Sequence, residues 1–162
     1  MHIAVVGLMG VGKTTTAELL AARLGRPHRD SDRDIETLTG VTGREIAAAQ
    51  GTDVLHRYEE AMALGALASS EPFVISVAGF AIESALCRLA LARRAFVVWL
   101  ELPLSEALVR AASGGHRRPI GRAELQALSD RRSPLFRAAA DVVIDANATP
   151  SEIVGDVLDR LG

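Results

Sequence analysis

Two kinds of hydrophobic pattern alternate along the chain. Short apolar runs rich in β-branched residues predict buried strands at residues 2–6, 73–78, 96–100 and 141–145, with a shorter strand ending at Asp30. Between them, apolar residues recur at helical spacing in residues 14–24, 31–38, 43–50, 53–68, 84–94 and 150–161, and Pro103 opens a further helix. Because the strands are apolar along their whole length, the pattern predicts an α/β fold, a doubly wound parallel sheet with helices on both faces.

The carboxyl ends of parallel strands share one edge of the sheet, and ligands of such folds bind beyond that edge. We therefore expect the functional residues in the loops that follow the predicted strands. These loops begin after Val6, Arg29, Ala78, Leu100 and Ile144.

Composition narrows the class of protein. The 162 residues suit a single domain, and the net charge of −2 argues against the basic surface of a general nucleic-acid binder. The chain has no run of about 18 apolar residues and no basic N-terminal region, so we expect no membrane span, no signal peptide and a cytoplasmic location. Cys87 is the only cysteine, which excludes an intramolecular disulfide, and we expect it in the core.

Residues 7–14, GLMGVGKT, meet the full phosphate-loop pattern of a glycine, four residues, a second glycine, lysine and threonine. The predicted strand before the loop and the helix after it supply the right context, since backbone N–H groups and the positive helix end both face a phosphate chain. We expect Lys13 to reach the β- and γ-phosphates and the Thr14 hydroxyl to bind Mg²⁺. The predicted nucleotide-binding residues of the loop are Gly10, Val11, Gly12, Lys13, Thr14 and Thr15.

Asp30 and Asp32 flank Ser31 directly after the second predicted strand, so two carboxylates emerge beside the phosphate loop. One carboxylate can orient Mg²⁺, and the other can accept the proton of a hydroxyl group that attacks a phosphate. The alternative is that Asp30 or Ser31 caps the following helix. Both interpretations can hold at once.

Two arginine-rich segments follow in the second half of the chain. Arg117 and Arg118 lie in a glycine-containing connection, and a closing loop with an arginine would exclude water and stabilise a transferring phosphate. A solvated surface loop is the alternative. Residues 131–136, RRSPLF, form a second basic cluster that can bind a substrate anion through a bidentate arginine.

Together these motifs resemble the shikimate kinases, small members of the nucleoside-monophosphate-kinase-like phosphate-loop enzymes. The resemblance extends over nearly the whole chain. It implies a five-stranded parallel sheet, ATP and Mg²⁺ as cofactors, a mobile lid at about residues 111–122 and acceptor-binding helices at about residues 31–68. The matching motifs are the phosphate loop, residues 30–32 with Ile35-Glu36, Gly40, Gly51, Glu59-Glu60, and residues 118–120 and 132–136.

The resemblance also implies roles for individual residues. Asp30 would lie in the magnesium shell, Asp32 would be the base that touches the acceptor hydroxyl, and Arg118 would be the lid arginine. Arg132 would bind the carboxylate of the acceptor. The implied catalytic group comprises Lys13, Asp32 and Arg118, and the implied contacts with adenine come from Arg110 and Pro150.

Two positions depart from the family's pattern. The family has a Phe-Arg pair where residues 55–56 read LH, with Arg57 one place later, and three glycines where residues 78–80 read AGF. A one-residue shift turns a helical side chain by about 100°, so Arg57 cannot replace the missing arginine without rearrangement. We therefore predict an altered acceptor site, for another small hydroxylated acid or a cyclitol, and a genuine shikimate kinase is the alternative. The predicted acceptor-binding residues are Asp32, His56, Arg57, Gly79, Phe80 and Arg132.

Further expectations concern His56 and the partners. The carboxylate of an acceptor beside His56 would raise the pKa of its imidazole above about 6.5. A regulatory nucleotide binder without turnover is a further alternative, whereas the Asn-Lys-x-Asp element of GTPases does not occur in the chain. We expect a small-molecule alcohol as the acceptor, no nucleic-acid or membrane partner, and a monomer or weak homodimer.

Overall fold

The protein is described by a computed structural model over residues 1–113 and 120–162. Five strands form one parallel sheet in the order β2-β3-β1-β4-β5. The predicted parallel α/β fold is therefore confirmed, and the strand that leads into the phosphate loop is central. The strands are β1 His2–Val6, β2 His28–Asp30, β3 Val74–Ser76, β4 Ala95–Glu101 and β5 Val142–Asp145.

Helices connect the strands, as the alternating pattern predicts. A short 3-10 turn, Gly79–Glu83, follows β3 and was not predicted. In the described part of the chain the α-helices are α1 Lys13–Leu24, α2 Ser31–Thr39, α3 Gly43–Gln50, α4 Thr52–Leu67, α5 Ala85–Arg94, α6 Leu104–Ser113, α7 Arg122–Ala139 and α8 Pro150–Leu161.

The sequence pattern did not predict α7, which carries the second arginine cluster. Pro134 lies inside this helix, where it removes one backbone hydrogen bond. The buried positions of α7 form one stripe at helical spacing, but an arginine stands among them and interrupts the apolar pattern. These positions are Leu125, Leu128, Arg132 and Phe136.

The core lies on the central strands. Ala4, Val5 and Val98 are fully buried, as expected for parallel strands covered by helices. Trp99 stacks on Phe136 of α7 with ring centroids 5.8 Å apart, which fixes α7 against β4. Cys87 is buried, as predicted. Within residues 1–113 and 120–162, no helix combines the length and the apolar character that a membrane crossing needs.

Candidate active site

The phosphate loop joins β1 to α1 at the carboxyl end of the central strand. Gly7 and Gly12 have φ angles of +150° and +97°, in the region that favours glycine. A Cβ atom on Gly7 would also lie 2.8 Å from the carbonyl oxygen of Leu100. The absence of a Cβ atom at Gly7 therefore lets the loop approach the end of β4. Gly12 stands at the N-terminus of α1, where anions are stabilised.

Two cations from different elements meet at the loop. Lys13 Nζ donates hydrogen bonds to the carbonyl oxygens of Gly7 and Leu8, each at 3.0 Å. Arg110, in the last turn of α6, donates from Nη1 to the carbonyl oxygen of Val11 at 3.4 Å. The positive charges add to the field of the helix terminus, so the loop attracts phosphate groups.

Asp30 links β2 to both α1 and α2. Its Oδ2 accepts a hydrogen bond from the Thr14 hydroxyl at 2.7 Å, and its Oδ1 accepts from the backbone N–H groups of Asp32 and Arg33 at 2.9 and 3.2 Å. Asp30 is therefore the cap of α2, one of the two alternatives that the sequence left open. Hydroxyl and carboxylate oxygens are ligands that Mg²⁺ prefers, so Thr14 and Asp30 also fit the predicted metal site.

A cavity of about 990 Å³ adjoins the phosphate loop. Lys13 and Thr14 line it from the loop, and Asp32 lines it from the first turn of α2. Its volume is at the upper end for small-molecule sites, which leaves room for two ligands side by side. The residues that α4, the 3-10 turn and α7 contribute include His56, Glu59, Gly79, Phe80, Arg131 and Arg132.

Glu59 is a cavity residue whose role the sequence does not indicate beyond its place in a family motif. Burial raises its pKa to about 7, and the nearby Asp32 charge adds to this rise, while Arg132 and Lys13 oppose it. A carboxyl group that titrates near neutral pH thus shares the cavity with the predicted base. The signal that could have identified Glu59 is its spacing of three residues from His56, which places both on one helix face.

His56 and Phe80 form a flat stack, with ring centroids 3.8 Å apart and planes inclined by 2°. Burial lowers the pKa of His56, and the positive charge of Arg132 lowers it further. The expected rise in the His56 pKa refers to a bound acceptor carboxylate and stays a prediction, whereas in the protein by itself the pKa of His56 is lowered. At neutral pH the stack therefore presents an uncharged imidazole rather than a second cation.

Arg132 extends from α7 into the cavity, where only 5% of the residue is exposed. Its Nε donates a hydrogen bond to Glu83 Oε2 at 2.9 Å, and the Nε of Arg131 donates to the other carboxylate oxygen. Burial by itself would raise the pKa of Glu83, but the hydrogen bonds from the two arginines outweigh it and the pKa is lowered. Two guanidinium groups share one carboxylate, so the cluster retains a net positive charge that suits an anion.

A sequence model of the shikimate kinases matches residues 9–162. The chain belongs to the shikimate kinase family. The shikimate kinases of Symbiobacterium thermophilum and Chromobacterium violaceum are 38% and 34% identical to it; the matches cover 99% and 96% of this chain and 96% and 87% of theirs. A solved shikimate kinase from Acinetobacter baumannii in complex with shikimate has a TM-score of 0.92 at 30% identity, and covers 99% of this chain and 92% of that one.

As a shikimate kinase family member, the protein is a phosphotransferase with an alcohol acceptor, and its cofactors are ATP and Mg²⁺. The resemblance stated from the motifs is thereby confirmed. The phosphate loop fits the triphosphate, because its glycines, Lys13 and the helix terminus all favour an anion. Bound Mg²⁺ supplies neutralising charge at the phosphates.

Among the described residues, three predicted site residues of this shikimate kinase family member do not line the cavity: Val11, which is buried in the core, Arg57 and Pro150. Arg57 is exposed and does not line it, since its neighbour His56 takes the inward direction and the next residue turns by about 100°. Pro150 is the first residue of α8, behind the cap Thr149, and is not among the lining residues either. Arg118 lies outside the described residues. Of the expected lid, residues 111–113 belong to α6 and Arg122 begins α7.

Proposed function

We propose that this shikimate kinase family member transfers the γ-phosphate of ATP to a hydroxyl group of shikimate. Curated relatives named shikimate kinase align over nearly the whole chain, and a solved relative binds shikimate. The observation in this chain that carries the proposal is the shared cavity of Lys13, Asp32 and Arg132. These residues combine a phosphate-binding cation, a carboxylate for proton acceptance and a cation for the acceptor's carboxylate.

In this proposal each element of the site has a role. Asp32 accepts the proton of the acceptor hydroxyl while Lys13 stabilises the charge of the transferring phosphate. Arg132 binds the carboxylate of shikimate, and Gly79 leaves space for the guanidinium group. The remaining proposed roles are the magnesium shell for Thr14 and Asp30, the lid for Arg118, and adenine contacts for Arg110 and Pro150.

A second candidate function is phosphorylation of a different small hydroxylated acid or a cyclitol. The observation that favours it is the stack of His56 and Phe80, which line the cavity where the family pattern has arginine and glycine. A neutral imidazole removes one cation from the acceptor site, and a phenyl ring occupies space that glycine leaves open. Both changes would weaken the binding of shikimate without affecting the phosphate loop.

One experiment separates the two candidates. The purified protein is incubated with ATP, Mg²⁺ and either shikimate or members of a panel of hydroxylated acids and cyclitols, and products are identified by mass. The H56R and F80G variants and the double variant are measured in parallel with the wild type. Lys13→Ala is the background control, because it removes the cation from the phosphate loop without disturbing the core.

Efficient phosphorylation of shikimate by the wild type supports the first candidate. If shikimate is used poorly and the double variant gains more than the two single variants combined, the stack is what excludes it and the second candidate is favoured. Absence of shikimate phosphorylation in all four proteins would contradict the first candidate.

We also propose that the protein acts as a monomer or weak homodimer. One chain by itself brings Lys13, Asp32 and Arg132 to the same cavity, so a monomer carries the side chains proposed for proton acceptance and anion binding. Sedimentation over a range of protein concentrations, measured beside specific activity, tests this: activity per chain should be independent of concentration.

A further inference from the structure

Glu83 is the last residue of the 3-10 turn, and its carboxylate joins two arginines of α7. The oxygen Oε2 accepts from Nε of Arg132 at 2.9 Å, and Oε1 accepts from Nε of Arg131. The two arginines differ in environment, because 6% of the Arg132 side chain is exposed and 53% of the Arg131 side chain. Of the two ion pairs that Glu83 makes, the one with Arg132 is therefore the buried one.

The backbone of the turn that carries Glu83 is itself held in place. Arg88 of α5 donates from Nη1 to the carbonyl oxygens of Ile82 and Glu83, at 2.8 and 3.0 Å. Ser84, the cap of α5, follows directly and accepts a hydrogen bond from the backbone N–H of Cys87. The Glu83 carboxylate therefore projects from a fixed backbone and can define the position of a flexible side chain.

The other end of the same turn contacts Arg132 as well. A Cβ atom on Gly79 would lie 2.7 Å from Nη1 of Arg132, closer than any real contact, so the guanidinium group packs against the bare glycine. Glu83 engages Nε and leaves the Nη side of the guanidinium for a ligand in the cavity. Arg132 lines the cavity and its hydrogen bond to Glu83 uses Nε, so the Nη atoms are the ones that can meet a ligand there.

We propose that Glu83 is a positioning residue for the acceptor, because it orients Arg132 so that the Nη atoms face the acceptor's carboxylate. The inference rests on the proposed function, in which Arg132 binds that carboxylate. Among the described residues, the side-chain hydrogen bonds of Glu83 go to Arg131 and Arg132 and not to the phosphate loop. Removal of Glu83 should therefore affect the acceptor and leave ATP binding unchanged.

Positioning and simple electrostatics predict opposite results for this residue. A carboxylate near an anion-binding arginine repels the anion, so if charge alone mattered, its removal would strengthen acceptor binding. If Glu83 orients Arg132, its removal frees the guanidinium to rotate. Acceptor binding then weakens, because the loss of orientation weakens it more than the loss of repulsion strengthens it. The sign of the change in KM thus separates the two explanations.

The experiment measures kcat and KM for shikimate and for ATP in Glu83→Gln, Glu83→Asp and Gly79→Ala. Glu101→Gln is the matched control, since Glu101 also pairs with an arginine of α7, Arg137, but does not line the acceptor cavity. We expect Glu83→Gln to raise the KM for shikimate about tenfold, as for a lost charge-assisted hydrogen bond, with kcat and the KM for ATP nearly unchanged. Glu83→Asp should recover part of the loss.

Gly79→Ala tests the same geometry without changing a charge. The added methyl group displaces Nη1, so the KM for shikimate should rise while the thermal midpoint stays close to that of the wild type. A KM that is unchanged or lowered in Glu83→Gln would overturn the positioning role, as would an equal rise in Glu101→Gln.

A measurement without substrate keeps this inference distinct from the proposed function. The Nε–H signal of Arg132 is observed by ¹⁵N NMR and assigned with an Arg132→Lys variant. A protected signal that disappears in Glu83→Ala, which has no side-chain acceptor, supports the orientation of Arg132 even if the wild type does not phosphorylate shikimate. A signal equally protected in both proteins would show that packing orients Arg132, and the inference would be wrong.

Discussion

Asp32 and Glu59 are two carboxyl groups of one cavity whose environments assign them different chemistry. Asp32 lies in the first turn of α2, where the helix N-terminus favours the ionised form. Glu59 lies on α4, where burial and the Asp32 charge favour the protonated form. At the residue scale, Glu59 is therefore the carboxyl group whose pKa is raised toward neutral pH, and Asp32, at the helix N-terminus, is the one proposed to accept the proton.

The role of Asp32 can be tested by Asp32→Asn. We expect kcat to fall about 100-fold or more, since a positioned base contributes at least that much, while the KM for the acceptor changes by less than about threefold. Asp34→Asn is the matched control, because Asp34 lies on the same helix and pairs with Arg29 outside the cavity lining. A change confined to KM would reduce Asp32 to a binding residue.

Glu59 should make the stability of the fold depend on pH. Its pKa rises from 4.5 to about 7 on folding, so between these two pH values the folded protein binds more protons than the unfolded protein. The free energy of unfolding therefore falls as pH rises through this range. Glu59→Gln removes the titration. We expect the variant to gain stability relative to the wild type between about pH 4 and about pH 8, measured by urea unfolding at both values. A difference independent of pH would contradict the raised pKa.

At the scale of elements, the helices differ in how much of their position the local sequence determines. The predicted and observed bounds of α3 and α8 agree, because glycine, threonine and proline mark their ends. The helix α7 was missed because its buried stripe includes Arg132 and its interior includes Pro134. Both residues weaken the helical pattern in the local sequence. In the folded protein the packing of Phe136 against Trp99 stabilises this helix.

Two glycines allow backbone conformation to be tested apart from packing. A Cβ atom on either Gly65, inside α4, or Gly40, at the end of α2, would meet nothing within 4 Å, but only Gly40 has a positive φ angle, +77°. Gly65→Ala should stabilise the fold by about 0.5–1 kcal/mol, and Gly40→Ala should destabilise it by about 1 kcal/mol or more. Thermal unfolding of the two variants gives the comparison, and changes of the same sign would contradict it.

At the scale of the whole molecule, a buried histidine ties the start of the central strand to the segment before β3. His2 Nδ1 accepts from the backbone N–H of Phe73 at 3.1 Å, so Nε2 carries the proton and donates to the carbonyl oxygen of Ser69 at 3.2 Å. Protonation of Nδ1 would abolish the first bond. Burial accordingly lowers the pKa of His2 from 6.5.

This histidine predicts acid sensitivity of the whole sheet. Because folding lowers the pKa of His2, the stabilisation that the neutral imidazole provides is present above pH 6.5. It is lost as pH falls toward the pKa of His2 in the folded protein. His2→Asn should be less stable by about 1 kcal/mol at neutral pH, and the difference should shrink in acid. Trp99, the only tryptophan and buried, reports global unfolding by fluorescence. A stability difference between wild type and His2→Asn that grows in acid would contradict the stabilising role of the neutral His2 imidazole.

The sequence by itself determined the features that depend on neighbours along the chain. The phosphate loop, the strand before it, the helix after it and the pair Asp30 and Asp32 could all be predicted, because their spacing directly encodes turn, helix start and charge. The alternation of strands and helices likewise indicated the parallel sheet.

Only the tertiary structure decided how distant residues combine in the acceptor part of the cavity. Glu83 and Arg132 are 49 positions apart, and their pairing depends on α7, which the sequence pattern did not reveal. The stack of His56 on Phe80 and the raised pKa of Glu59 depend on which side chains face the same space and on how far water is excluded. Burial and long-range contact are properties of the folded chain, and no local spacing encodes them.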